Sequence, residues 1–153
     1  MGNIITTNNN NNKNINFEDM QIAIKESISE NNIKEKNILI INTLLETNQR
    51  CLIKGTLPYN IEEEVINHQL KKNKSISIII YGMNSADYSI FKKYDQLIKL
   101  GFYNIFIYTG GLFEWLLLQD IYNCELFPTT TKENDILKYK GIRQFNIKLL
   151  SYN

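Results

Sequence analysis

Three isoleucine-rich runs stand out along the chain and predict β-strands. They are NILIIN (37–42), SISIIIY (75–81) and NIFIY (104–108). Continuous β-branched runs of this length are typical of parallel strands that are covered on both faces. A fourth segment, CLIKGTLPYN (51–60), contains a glycine and a proline, so it predicts only a short strand or a turn.

Apolar residues between these strands recur at helical spacing and predict four helices. Asn16 suits the N-cap of the first helix, and Gly101 suits a left-handed stop after the third. Strands that alternate with helices in this way predict an α/β fold, with a central parallel sheet flanked by helices on both faces. The predicted helices span 16–31, 60–72, 87–100 and 111–122.

The loops that follow the three strong strands carry the expected functional surface. In parallel α/β sheets, ligands bind at the carboxyl ends of the strands. We therefore expect residues 42–50, 82–88 and 109–112 to share one rim of the sheet.

The two ends of the chain depart from this pattern. Residues 1–14 include the polar run NNNNNKN, which predicts a flexible tether. One folded domain is predicted over 15–128. Residues 129–153 form a C-terminal extension with enough apolar residues to dock on that domain.

Composition excludes several classes of function. The formal net charge of +1 gives no global field that would recruit nucleic acid. The two cysteines and the single histidine have no metal-ligand or disulfide spacing, so we expect no metal and no cofactor. The absence of a secretory signal and of a long apolar run favours a cytoplasmic protein.

The order and spacing of these segments resemble the rhodanese-like domain family, from about Ile15 to Leu118. The most specific piece is LIKLGFYNIFIYTGGLFEW (97–115). It is similar to the family's pattern of a helix ending in Gly-Phe, a short strand, a Gly-Gly turn and an aromatic-bearing helix. INFEDM, ILIINTL, IKGTLPYN and IIIYGMNSADYS precede it in the family's order. The resemblance implies a rhodanese-like fold.

The same resemblance implies that the catalytic machinery is missing. In sulfurtransferases and cell-cycle dual-specificity phosphatases of this fold, a cysteine opens the active loop and backbone N–H groups stabilise its thiolate. Here Gly82 stands at the cysteine position, and Tyr88 stands where the phosphatases have arginine. A glycine would allow a positive φ or close approach by a ligand. An inward-facing Asp87 would repel a bound anion. The family's loop maps onto Gly82, Met83, Asn84, Ser85, Ala86, Asp87 and Tyr88.

Other nucleophiles leave an alternative open. Ser85 has no nearby base in the sequence and is more typical of a helix cap, as Asp87 is. His68 lies on a predicted helix, and this position favours a structural role over a catalytic one. The alternative to an inactive domain is a divergent sulfurtransferase or phosphatase that uses a non-standard thiol, such as Cys124.

Two aromatic residues after the Gly-Gly turn are candidate contacts for a protein partner. Core packing is favoured for most of that helix. An exposed aromatic residue there would nevertheless anchor a partner. The two candidates are Phe113 and Trp115.

The first six residues, MGNIIT, match an N-myristoylation signal, with Gly2 as the acceptor and Thr6 at the required place. One myristoyl chain gives only marginal, reversible membrane binding, and a protein partner can supply the second contact. The sequence therefore predicts a catalytically inactive, rhodanese-like binding module. It would be cytoplasmic and peripheral on a membrane facing the cytosol.

Overall fold

The computed structural model of the chain describes residues 13–145. Four strands alternate with four helices, and short 3₁₀ turns lie at Ile33–Glu35, Glu46–Asn48 and Ile136–Tyr139. In chain order the elements are β1 (Asn14–Ile15), α1 (Phe17–Ser29), β2 (Ile38–Asn42), α2 (Tyr59–Lys72), β3 (Ser77–Tyr81), α3 (Ser89–Leu100), β4 (Ile105–Tyr108) and α4 (Gly111–Ile121).

The four strands form one parallel sheet in the order β1-β4-β3-β2. The segment 51–60, predicted to be a short strand or a turn, makes two isolated bridges: Thr56 pairs in parallel with Ile40 of β2, and Ile53 pairs in antiparallel with Thr129. Helices cover both faces of the sheet. The predicted α/β fold with a central parallel sheet flanked by helices is therefore confirmed.

The alternation of side chains along the strands divides the core into two halves. The aromatic face, covered by α1 and α4, contains Ile79, Tyr81 and Tyr108. The aliphatic face, covered by α2 and α3, contains Ile78 and Ile80. Because consecutive strand residues point to opposite faces, one isoleucine-rich strand supplies both halves.

Local signals at the helix ends are realised as predicted. The side chain of Asn16 accepts a hydrogen bond from the backbone N–H of Asp19, and the Asp19 carboxylate accepts one from the N–H of Asn16. This reciprocal pair is a capping box, which satisfies two backbone groups at the start of α1. Gly101 ends α3 with φ of 112°, a conformation that favours glycine.

The domain extends beyond the predicted boundaries at both ends. Asn14 pairs with Ile107 in the sheet, and the Lys13 carbonyl accepts a hydrogen bond from the Ile107 N–H. At the other end, Thr129 bridges to Ile53 and the Tyr139 side chain is buried. In the described part of the extension, Ile136 and Tyr139 therefore pack on the body of the domain, whereas residues 146–153 lie outside the described residues.

None of the helices within residues 13–145 is both long enough and apolar enough to cross a membrane.

Candidate functional site

The carboxyl ends of β2 and β3 meet in a cleft of about 780 Å³. Its lining comes from the loop after β2, from the 82–88 loop with the start of α3, and from residues 140–144. The third predicted loop, 109–112, lies directly behind the 82–88 loop. The structure thus brings the three predicted loops together at one rim and adds the C-terminal segment to them.

The 82–88 loop is held together by the carboxylate of Asp87. One carboxylate oxygen, Oδ2, accepts a hydrogen bond from the backbone N–H of Met83 at 2.8 Å. The other, Oδ1, accepts from the backbone N–H of Ser89 at 3.0 Å and from its hydroxyl at 2.6 Å. Because Ser89 opens α3, the carboxylate also lies at the positive end of that helix. The loop therefore already contains an anion from its own chain.

Gly82 leaves the space that this carboxylate fills. A β-carbon on residue 82 would lie 2.6 Å from Asp87 Oδ2 and 3.1 Å from the Cγ2 methyl of Ile90. Gly82 does not have a positive φ. Of the two reasons expected for a glycine here, the positive φ is therefore not realised, whereas the missing β-carbon makes room for the Asp87 carboxylate. A cysteine at this position would collide with Asp87.

The Gly110-Gly111 turn supports the 82–88 loop from behind. The backbone N–H groups of Leu112 and Phe113 donate to the carbonyls of Gly82 and Met83 at 3.0 and 2.9 Å. Gly111 has φ of 69°, and a β-carbon there would lie 2.8 Å from the Gly82 carbonyl oxygen. Only glycine permits this conformation and this approach together. The start of α4 thus fixes the loop by its backbone.

A neutral amide pair occupies the end of β2. The Asn42 Nδ2 donates to Gln49 Oε1 at 3.0 Å, and the Gln49 Nε2 donates to Asn42 Oδ1 at 2.8 Å. The next residue, Thr43, shares a hydrogen bond of 2.7 Å with the hydroxyl of Ser89. The amide pair closes the loop after β2, and the Thr43 bond joins that loop to the start of α3, without adding a charge.

The C-terminal segment completes the cleft. The Asn84 Nδ2 donates to the backbone carbonyl of Tyr139 at 2.9 Å, which ties the 82–88 loop to residues that follow the domain in sequence. Beyond this contact, Lys140, Ile142 and Gln144 line the cleft. The segment therefore borders the rim, which the sequence left undetermined.

The walls of the cleft expose apolar side chains around a polar floor. Leu45, Tyr88 and Ile142 are 72%, 75% and 85% exposed. The charged residues in the lining are Asp87 and Lys140. Large, solvent-facing apolar groups that surround polar ones are typical of a surface that contacts another molecule.

The structure separates the two candidate aromatic anchors from this surface. Trp115 has no exposed surface, packs edge-on against Tyr108 and Phe127, and donates its indole N–H to the Pro128 carbonyl at 3.1 Å. The prediction that Trp115 contacts a partner is therefore wrong, because this side chain fills the aromatic face. Phe113 is partly buried against the same core.

The alternative nucleophiles lie apart from one another. Cys51 is buried in the aromatic face, where burial raises the pKa of its thiol. Cys124 is exposed beyond the far end of α4, an eleven-residue helix whose other end lies at the rim. Ser85 is exposed on the loop, and His68 lies on α2. Gly2, the predicted acylation site, lies outside the described residues.

Sequence reasoning missed Leu45 and Ile142 as surface contacts. Each lies in a segment without helical or strand periodicity, so its exposure carries no pattern. The signal that could have identified them is an apolar residue within a polar loop, as in the stretch GIRQ that contains Ile142.

Comparison with known proteins supports the fold alone. The crystal structure of the Alr3790 protein from Anabaena sp. is similar to this chain, with a TM-score of 0.51 and 18% sequence identity. The match covers 81% of this chain and 97% of that one. No family model and no curated protein matches the sequence.

Proposed function

We propose that this chain is a catalytically inactive, rhodanese-like domain that binds a protein partner at the cleft beside the 82–88 loop. One observation carries the proposal: the Asp87 carboxylate, bonded to the Met83 N–H, fills the space left by Gly82. A loop that contains its own anion has no room at this point for the thiolate on which the family's chemistry depends.

The charge of Asp87 also opposes the substrates of that chemistry. Thiosulfate and phosphate esters are anions that would have to approach the same loop. Two like charges about 4 Å apart repel by roughly 4 kcal/mol at an effective dielectric of 20. This repulsion would offset much of the attraction that backbone N–H groups provide, so the loop favours neutral or cationic groups.

The rest of the cleft suits a polypeptide. Exposed apolar residues, Leu45, Tyr88 and Ile142, can hold side chains of a partner. Side-chain amides of Asn48 and Gln144 in the lining can bond to its backbone. The cleft therefore offers a bound segment of a partner protein apolar contacts for its side chains and hydrogen bonds for its backbone.

The enzymatic alternative needs a thiol that reaches the loop. An eleven-residue helix is about 16 Å long, and Cys124 follows its end distal to the rim. We expect no thiosulfate-to-cyanide sulfur transfer and no phosphate-ester hydrolysis by the wild type. Turnover that disappears in Cys124→Ala would overturn the proposal and establish the divergent enzyme instead.

The binding surface is tested by comparing three forms of the full-length chain as bait in extracts of the source organism. We expect the wild type and Ile98→Ser to capture the same partner, and Leu45→Ser/Tyr88→Ser to lose it. Ile98 is a suitable control because it is an exposed apolar residue, 40% accessible, that does not line the cleft. Equal capture by all three forms would place the partner surface elsewhere.

We further propose that Gly2 is myristoylated and tethers the chain reversibly to a membrane that faces the cytosol. The Met-Gly-x-x-x-Thr pattern supports this assignment. Intact mass of the protein from its source would reveal the acyl group. Membrane association in cell fractions should be lost in Gly2→Ala, and an unmodified terminus would remove the membrane from the proposal.

A further inference from the structure

A second apolar depression, here called the α1 groove, lies beside α1. It has a volume of about 480 Å³ and runs between α1 and the turn after α4. Its apolar lining is Ile22, Ile24, Ile28, Leu126 and Pro128. The cleft at the 82–88 loop shares none of these residues.

Two of the groove's three isoleucines are exposed. Ile22 is 62% and Ile28 46% exposed on α1, and Leu126 across the groove is 50% exposed. The groove floor is Ile24, which is 3% exposed and belongs to the core. Exposed isoleucine and leucine side chains are stabilised when an apolar group covers them and removes their surface from water.

We infer that the α1 groove holds the myristoyl chain of Gly2, an inference that rests on the acylation proposed above. The occupant is thus a segment of the same chain. The groove would hold the acyl chain in solution and release it when the domain meets a membrane or a partner.

The chain is long enough for this placement. Ten residues lie between Gly2 and Lys13, where the described structure begins, and the eleven steps from one to the other span at most about 36–40 Å when extended. Ile22 is the sixth residue of α1, about 8 Å along a helix that starts four residues after Lys13. Even a fully extended connection places Ile22 within about 22 Å of Lys13.

The shape and chemistry of the groove fit a fatty acyl chain. Its volume is within the roughly 300–1,000 Å³ of pockets that hold small ligands. The Gln21 side chain donates to the Leu126 carbonyl at 2.8 Å, so these two walls are joined. The flanking charges, Glu18, Lys25 and Glu125, have mixed sign and give no site for a strongly charged ligand.

The tether makes a shallow groove sufficient. A linked group has an effective concentration on the order of millimolar, so weak affinity for the groove suffices to hold it. Membrane binding by one myristoyl chain is itself marginal. The groove and the bilayer therefore compete for the acyl chain with comparable affinity. Membrane binding then depends on whether the acyl chain occupies the groove.

The test uses the full-length chain co-expressed with an N-myristoyltransferase. Intact mass first establishes whether Gly2 carries the acyl group. Sedimentation with phosphatidylcholine vesicles then compares the acylated wild type with acylated Ile22→Gln and Ile121→Gln. Ile121 is a matched control because it is 69% exposed but does not line the groove. The neutral glutamine avoids any change in attraction to the lipid.

We expect acylated Ile22→Gln to bind vesicles several-fold more than the acylated wild type, and Ile121→Gln to match the wild type. Acylation should also raise the melting temperature of the wild type and of Ile121→Gln, but not of Ile22→Gln, because the buried acyl chain stabilises only the folded state. Equal vesicle binding and equal melting shifts in the three acylated proteins would show that the groove does not hold the acyl chain, while the proposal that Gly2 is acylated would stand. If the transferase cannot modify the N-terminus, both the acylation of Gly2 and the binding of its acyl chain in the groove are overturned.

Discussion

The two faces of the sheet solve the same packing problem with different side chains. The aliphatic face consists mainly of isoleucine and leucine, which pack without preferred directions, with Phe102 as its one buried ring among the described residues. The aromatic face contains several rings, of which Trp115 and Tyr81 form hydrogen bonds to particular backbone groups. Apolar packing alone supplies stability, whereas ring packing with directed hydrogen bonds also fixes where the attached loops lie.

The segments held by the aromatic face are those around the cleft. The Trp115 indole holds the Pro128 carbonyl, and the Gln119 side chain holds the carbonyl of Phe127, from which the C-terminal segment departs. That segment reaches the rim through Tyr139, which is buried in the same face. Positioning of the candidate site therefore depends more on the aromatic face than on the aliphatic one.

The largest expected effect comes from Trp115→Ala, compared with Ile80→Val on the aliphatic face. We expect Trp115→Ala to lower the free energy of unfolding by about 3–5 kcal/mol and Ile80→Val by about 0.5–1.5 kcal/mol. Urea denaturation measures both. Limited proteolysis should cut within residues 129–145 in folded Trp115→Ala only. Equal resistance of that segment in the two variants would show that the aromatic face does not hold it.

A second prediction concerns Gly82, where the 82–88 loop contacts Ile90 of the aliphatic face. We expect Gly82→Ala to destabilise the fold by about 1–3 kcal/mol because the new methyl group collides with Asp87 Oδ2. Asp87→Ala removes that obstacle, so the double variant should lose less stability than the sum of the single ones. Denaturation of the four proteins provides the cycle. Strict additivity would mean that the two side chains do not interfere.

Two tyrosines sharpen the comparison within the aromatic face. Tyr81 and Tyr108 are partners in the sheet register and are both fully buried. The Tyr81 hydroxyl accepts from the Ile53 N–H at 3.1 Å and shares a bond of 2.7 Å with Thr56. The Tyr108 hydroxyl makes no hydrogen bond among the described residues, and burial and the nearby Glu114 carboxylate raise its pKa.

We expect Tyr81→Phe to cost about 1–3 kcal/mol, because it leaves the buried Ile53 N–H without an acceptor. Tyr108→Phe should leave stability unchanged or raise it slightly, since it removes an unpaired polar atom. Thermal denaturation of both variants distinguishes them. A similar loss in Tyr108→Phe would indicate that its hydroxyl has a partner in solution.

The smallest expected effect concerns the reactivity of the two cysteines. Burial raises the pKa of the Cys51 thiol, so at a pH near the ordinary thiol value of about 8.5 less of it is the reactive thiolate. Cys124 is exposed. We expect iodoacetamide to modify Cys124 in the folded protein and Cys51 only after unfolding, as peptide mass spectrometry would show. Early modification of Cys51 would mean that the aromatic face opens readily.

The main elements of the fold could be predicted because their signals are local. Isoleucine-rich runs specify the three longer strands, and Asn16 and Gly101 specify helix ends. The strand at Asn14–Ile15 escaped prediction because two residues joined by backbone hydrogen bonds leave no side-chain pattern.

The candidate site could be predicted only in part. The position of the loops follows from parallel topology, but the contact between Gly82 and Asp87 depends on the path of the loop. The prediction that Trp115 contacts a partner is wrong because α4 is apolar on most sides, so its sequence does not reveal which side faces the core. The exposure of Ile142 depends on where the C-terminal segment runs.

The interlocking of Gly82 and Asp87 has an evolutionary consequence. A cysteine at position 82 meets Asp87 in its way, and loss of Asp87 alone removes the bonds that organise the loop. Neither single substitution leads directly to a stable loop with a nucleophile, so a lineage would have to pass through a less stable intermediate. A thiol at position 82 therefore requires both substitutions together, which makes its acquisition harder than a single change would be.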